Sequence, residues 1–123
     1  MMHFQSVTFD LDGTLIDSRG DIAAACNHAL VATGRRSLSP EVIARFVGDG
    51  ARTLCSRAAG LSEHEKDLDE VPEIFLEYYT EHPIDHTRWM PHAQRTLELV
   101  GVGMPIALCT NKARRVTDAV LTA

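Results

Sequence analysis

Asp10 and Asp12 stand two residues apart behind a short apolar, β-branched run, Val7-Thr8-Phe9, and are followed at once by Gly13-Thr14. In an extended strand, residues i and i+2 project from one face, so this spacing aims two carboxylates into one small space where the strand ends. Open α/β sheets bind their ligands beyond the carboxyl ends of the strands. A carboxylate pair at that position can hold a hard cation such as Mg²⁺, and one member can attack phosphorus. A second set of polar groups follows another apolar run, Ile106 to Cys109. There Thr110 and Asn111 lie between an expected strand and an expected helix, where hydroxyl, amide and helix N-terminus can all meet a phosphate. Gly13 and Thr14 suit a tight reversal that leads the chain away from the aspartates, with Thr14 able to bond locally.

The elements that must position these residues can be read from periodicity and punctuation. Residues 4 to 10 read as a buried strand. Ser18 with Asp21 three residues on resembles a capping box, and the helix it opens runs to about Thr33, with Ile22, Cys26, Ala29 and Leu30 as its apolar stripe. A second helix starts at Ser39-Pro40 and stops near Gly48, and a third runs from about Gly50 to Ala59. A fourth is expected from about Ser62 to Glu81, kinked or restarted at Pro72, with Val71, Phe75 and Tyr78 on its apolar face. The stretch His82 to Pro91 reads as a polar return connection. A helix with Ala93, Leu97 and Val100 on one face, a buried strand from Met104 to Cys109 and a short helix from Arg114 complete the order. With the four-helix insert set aside, this is a β-α-β unit whose two strands should lie side by side and parallel, bringing Asp10, Asp12 and Thr110 to one sheet edge.

At these residues the chain resembles a known family. Asp10-Leu11-Asp12-Gly13-Thr14-Leu15-Ile16-Asp17-Ser18 is similar to motif I of the haloacid dehalogenase-like (HAD) hydrolases, and Thr110-Asn111-Lys112 to their motif II. Phe46-Val47-Gly48-Asp49-Gly50-Ala51 is similar to the cap region of the phosphoglycolate phosphatase branch. The resemblance implies an α/β fold with a Rossmann-like parallel sheet, of which the first two strands are present, and an α-helical cap inserted after strand 1. It divides the chain into core segments 1–16 and 88–123 and a cap at 17–87. It implies a phosphatase of small phosphorylated metabolites, with 2-phosphoglycolate as the first substrate to test. Asp10 would attack phosphorus and Asp12 would protonate the leaving oxygen and later deprotonate water. Mg²⁺ would be held by the Asp10 carboxylate and the Asp12 backbone carbonyl. Gly13, Thr14, Thr110 and Asn111 are the expected phosphate-binding residues, and Arg52, just beyond the Gly48 and Gly50 bend, can reach a substrate carboxylate bidentately. Lys112 is not assigned the phosphate, because the family's lysine comes from a later motif. Ala113 and His92 stand where relatives of this branch usually have proline and glycine. Two further motifs are expected beyond Ala123, so the chain reads as the N-terminal part of such an enzyme, truncated after motif II. A phosphomutase, or a non-catalytic remnant that binds phosphate or a partner, is the alternative.

Composition narrows the classes further. The 123 residues carry a net charge of −5, which opposes the basic face that nucleic-acid binding requires. No apolar run approaches the ~20 residues of a membrane span, and Met1-Met2-His3-Phe4-Gln5 lacks the basic start of a signal peptide. Cys26, Cys55 and Cys109 are odd in number and widely spaced, which fits a reduced, cytoplasmic setting. His82 and His86 are four apart, but Pro83 spoils the helix a zinc pair would need, and the charge run 62–70 reads as a solvated face. Two strands are few for an open sheet, so an exposed sheet edge invites self-association.

Overall fold

The computed structural model describes residues 4–61 and 67–123. The expected start of the fourth helix near Ser62 and the first half of the charge run lie outside the described residues. Strand β1 (Val7–Phe9) pairs in parallel with β4 (Ile106–Leu108), in the register Val7–Ile106, Thr8–Ala107, Phe9–Leu108. Between them the chain forms β2 (Ile16–Asp17), helices α1 (Arg19–Ala32), α2 (Pro40–Ala44), α3 (Ala51–Ala59) and α4 (Asp67–Glu81), β3 (Arg88–Trp89) and α5 (Ala93–Gly101); α6 (Arg114–Thr122) follows β4.

The β-α-β skeleton thus stands as expected, and its strand carries further hydrogen bonds at both ends, Val7 N–H to the Pro105 carbonyl (3.1 Å) and Cys109 N–H to the Phe9 carbonyl (2.8 Å). The strands themselves are not buried as the sequence suggested. Thr8, Ile106 and Ala107 are exposed, and Val7, Phe9 and Leu108 are only half-buried. Two strands leave each other one free edge, and the apolar weight of the molecule sits elsewhere.

That weight lies among the helices. The α1 stripe of Ile22, Cys26, Ala29 and Leu30 is buried as its i, i+4, i+7, i+8 spacing requires, and α1 and α3 both lie against α4. Ile43, Leu54, Cys55, Val71, Phe75 and Val116 close the same core. Each such large side chain, fully buried, is worth about 1.5–3 kcal/mol, so this cluster is what holds the insert together. On α4 the third buried position is Tyr79, not Tyr78. Tyr78 is only half-buried and stacks between His28 and His82, with ring centroids 4.3 and 4.4 Å away. An i, i+4, i+8 row stays in line with the helix partner here, whereas position i+7 turns to the rim. Helix α4 also runs through Pro72 without a break. The ring costs one hydrogen bond, to the Leu68 carbonyl, and the buried row around it outweighs that loss.

The return connection conceals structure that composition did not reveal. Residues 88–89 form an antiparallel pair with β2, Ile16 opposite Trp89 and Asp17 opposite Arg88. The ribbon is extended by Met90 N–H donating to the Leu15 carbonyl at 2.8 Å. The chain therefore enters and leaves the helical insert through a single two-stranded stalk. Asp21 clamps it. Its carboxylate, in a residue only 2% exposed, accepts the His86 N–H (2.9 and 3.1 Å) and the Thr87 hydroxyl (2.6 Å). The capping-box expectation for Ser18 and Asp21 is therefore overturned: Ser18 makes no side-chain cap bond. Partners at the stalk and at Asp12 compete successfully with local capping.

Candidate functional site

Strand β1 ends at Phe9, so Asp10 and Asp12 meet on the loop beyond it rather than on the strand. From Leu11 the chain closes a tight loop in which Leu15 and Ile16 both donate to the Leu11 carbonyl and Gly13 donates to the Ile16 carbonyl at 2.8 Å. Gly13 turns the loop at φ +77°, a conformation costly for a residue with a Cβ. Gly13 and Thr14 are exposed at its tip, outside the cavity, and shape the loop that delivers the aspartates.

A cavity of about 120 Å³ opens at this point, between the carboxyl ends of β1 and β4 and the helical insert. Asp10, Asp12, Thr110, Asn111 and Lys112 supply its polar wall, and Ile22, Leu54, Phe75 and Val116 are among its apolar lining. The two aspartates are unlike. The Asp10 carboxylate is exposed and takes no hydrogen bond or ion pair from the described residues. Asp12 Oδ1 accepts the Ser18 hydroxyl at 2.6 Å and the Lys112 ammonium at 2.9 Å. One carboxylate is free to react or to ligate; the other is held.

Thr110 lies two residues beyond β4, which runs beside β1 as the β-α-β layout requires. Its hydroxyl accepts the Lys112 N–H at 3.1 Å, which leaves the hydroxyl proton available to a ligand. The Asn111 amide is engaged differently from the phosphate contact expected of it: it donates to the Gly48 carbonyl at 2.9 Å, tying motif II to the insert. Gly50 turns the insert beside Asn111 at φ +90°, a conformation that L side chains rarely adopt. Arg52 is not brought to the site. Its exposed guanidinium pairs with Asp69 at 2.6 Å, and it does not line the cavity.

Lys112 is the residue that sequence reasoning passed over. Its side chain is 5% exposed, donates to both Asp12 Oδ1 and the Tyr79 hydroxyl, and lies over the Tyr79 ring, 4.3 Å from the centroid. Burial pushes its pKa below the ordinary 10.5, opposed by the charge and hydrogen bond of Asp12. Burial likewise pushes the Tyr79 hydroxyl well above its usual range, so it stays a neutral dipole. The signal that could have found Lys112 is its rarity, since Lys66 is the sole other lysine against ten arginines. Among the described residues no group of three or more metal-ligating side chains occurs. The fit to a divalent cation is thus a partial shell: the unpartnered Asp10 carboxylate beside Asp12, with remaining positions left to water and a phosphate, as Mg²⁺ commonly accepts.

Known proteins bear on this geometry. The family model described as haloacid dehalogenase-like hydrolase matches residues 7–123. The chain is 37% identical over 120 residues to a phosphoglycolate phosphatase of Chromobacterium violaceum, covering 94% of this chain and 54% of that relative. It is 34% identical to the phosphoglycolate phosphatase of Aquifex aeolicus, over 94% of this chain and 53% of the relative. Among solved structures, that of a predicted phosphoglycolate phosphatase from Haemophilus somnus 129pt superposes with a TM-score of 0.84 at 30% identity, covering 99% of this chain and 58% of the other. A hydrolase from Pseudomonas syringae gives 0.75 at 27% identity, over 98% and 56%. The chain spans about half the length of the curated relatives it matches. The family match runs over nearly the whole chain, and the chain belongs to the haloacid dehalogenase-like hydrolase family.

Proposed function

We propose that the chain carries the nucleophile half of a phosphatase for small phosphorylated metabolites, with 2-phosphoglycolate as the substrate to test first. The observation that carries this reading is the unlike pair: Asp10 unpartnered in the cavity, and Asp12 beside it held by Ser18 and Lys112. An ionised carboxylate needs no base to attack, so Asp10 serves as the nucleophile and forms an aspartyl-phosphate as the P–O bond to the leaving group breaks. Asp12 uses the oxygen that no described residue engages, Oδ2, to carry the proton to the leaving oxygen and to take one from the hydrolytic water. The Thr110 hydroxyl donates to a phosphate oxygen. The Asp10 carboxylate and the Asp12 carbonyl would hold Mg²⁺, whose charge would let a dianion approach a carboxylate. Residues 17–87 act as a cap on the β2–β3 stalk, with 1–16 and 88–123 as the core, and the apolar side chains facing the cavity keep water from the reacting phosphoryl group. The family relationship and the names of the relatives support the same reaction.

The test is hydrolysis of 2-phosphoglycolate by the purified chain with Mg²⁺ and with a chelator, beside Asp10→Asn. Turnover of any size should be Mg²⁺-dependent and fall on the order of 10³-fold in Asp10→Asn. Activity that survives in Asp10→Asn would refute the assignment. The chain alone should be slow, because among the described residues no second cation lines its cavity to share the phosphoryl charge with Lys112.

A further inference from the structure

We propose that Lys112 is a positioning residue that serves as the built-in counter-cation of the aspartate pair, setting how strongly the pair attracts a divalent ion. This rests on the reading of Asp10 and Asp12 as the cation-binding pair. Three observations carry it. The ammonium is 2.9 Å from Asp12 Oδ1 and shares with Ser18 the one carboxylate oxygen that is engaged. It is sequestered, with 5% of the side chain exposed, so water screens it little, and an unscreened positive charge opposes a second cation entering the same cavity. It is also anchored from the other side. Tyr79, 2% exposed on α4, accepts one of its protons and presents its ring face to the charge. An ammonium gripped by the insert cannot swing aside cheaply when a cation arrives.

The chain thus satisfies Asp12 internally and leaves Asp10 unpaired. An incoming divalent ion gains Asp10 freely but works against Lys112. The third ammonium proton, which no described residue takes, remains for an anion in the cavity, so the same lysine that weakens a lone cation favours a cation arriving with phosphate.

Affinity for Mn²⁺, read from the free-ion electron paramagnetic resonance signal, tests this without turnover. In the full chain, Lys112→Met removes the charge at similar length, and Lys112→Gln removes the charge while keeping a donor for Asp12. Both should bind Mn²⁺ on the order of tenfold more tightly than the natural chain. Lys112→Arg, which keeps the charge, should stay within about twofold of it. Unchanged or weaker binding in the two neutral variants would overturn the proposal. So would failure of both to fold, because Asp12 keeps Ser18 and its opening to the cavity, and a neutral side chain is cheaper to bury than an ammonium. Tightened Mn²⁺ binding without phosphatase activity would sink the phosphatase reading alone. Mg²⁺-dependent turnover with unchanged Mn²⁺ affinity would sink Lys112 alone, and no Mn²⁺ binding in any variant would sink both.

Discussion

Asp21→Ala puts the stalk to the test. The Asp21 carboxylate is buried in the first turn of α1 and accepts from His86 and Thr87, 65 and 66 residues away. Hydrogen bonds to a charged acceptor contribute about 1.5–3 kcal/mol each, so removing the acceptor from two donors forfeits about 3–6 kcal/mol. Relief from burying the carboxylate offsets part of this, leaving a net loss of about 3 kcal/mol. For 123 residues at about 2.1 cal/mol/K each, the unfolding entropy is about 260 cal/mol/K, and the loss lowers Tm by about 12 °C. Thermal unfolding followed by circular dichroism at neutral pH measures it. Thr87→Val should cost about 1.5 kcal/mol alone and almost nothing on top of Asp21→Ala, since the two share one bond. A loss below about 1 kcal/mol in Asp21→Ala, or full additivity with Thr87→Val, would refute the clamp.

His92 is the one described non-glycine residue in the left-handed region (φ +65°), where a Cβ is strained; His92→Gly should stabilise by about 0.5–1 kcal/mol in a denaturant melt. Cys26 and Cys55 are buried and Cys109 is exposed, so a thiol reagent should titrate one cysteine quickly in the native chain and three in denaturant. Burial pushes the Cys26 thiol from 9.0 up to about 11, and Cys55 further. Unfolded thiols therefore ionise first, stability is intact below pH 9 and falls above it, and Cys26 alone should account for about 2 kcal/mol by pH 11. Self-association through the open β4 edge and the apolar groove formed by Leu97, Ile106, Leu108, Val120 and Leu121 should appear in sedimentation velocity and weaken in Ile106→Lys; a monomer at every concentration would exclude it.

Much of the site was legible in the chain itself because it depends on local order. The Asp10-Leu11-Asp12-Gly13 run marks a strand end and a glycine turn, and Thr110-Asn111 follows a second strand, so a β-α-β connection alone brings them together. The helix α1 stripe was equally legible, because 3.6-residue periodicity is a property of neighbouring residues. What remained hidden depends on partners outside each residue's own helical turn, most of them far away in sequence. Ser18 and Asp21 look like a local capping pair, yet their hydrogen bonds go to Asp12 and to His86 and Thr87. Arg52 looks like a substrate clamp, yet Asp69 on α4 takes its charge at the surface. The two-residue strands of the stalk are too short to leave a periodic trace.

Lys112 shows the division most plainly. Sequence placed it beside the site and gave it no task, because a lysine's reach and exposure depend on what surrounds it. Only the docking of α4 decided that Tyr79 would cover it and turn its charge toward Asp12. Local spacing determined which carboxylates converge; the tertiary structure decided that one would be neutralised from within and the other left free, because burial and pairing are set by contacts between distant elements.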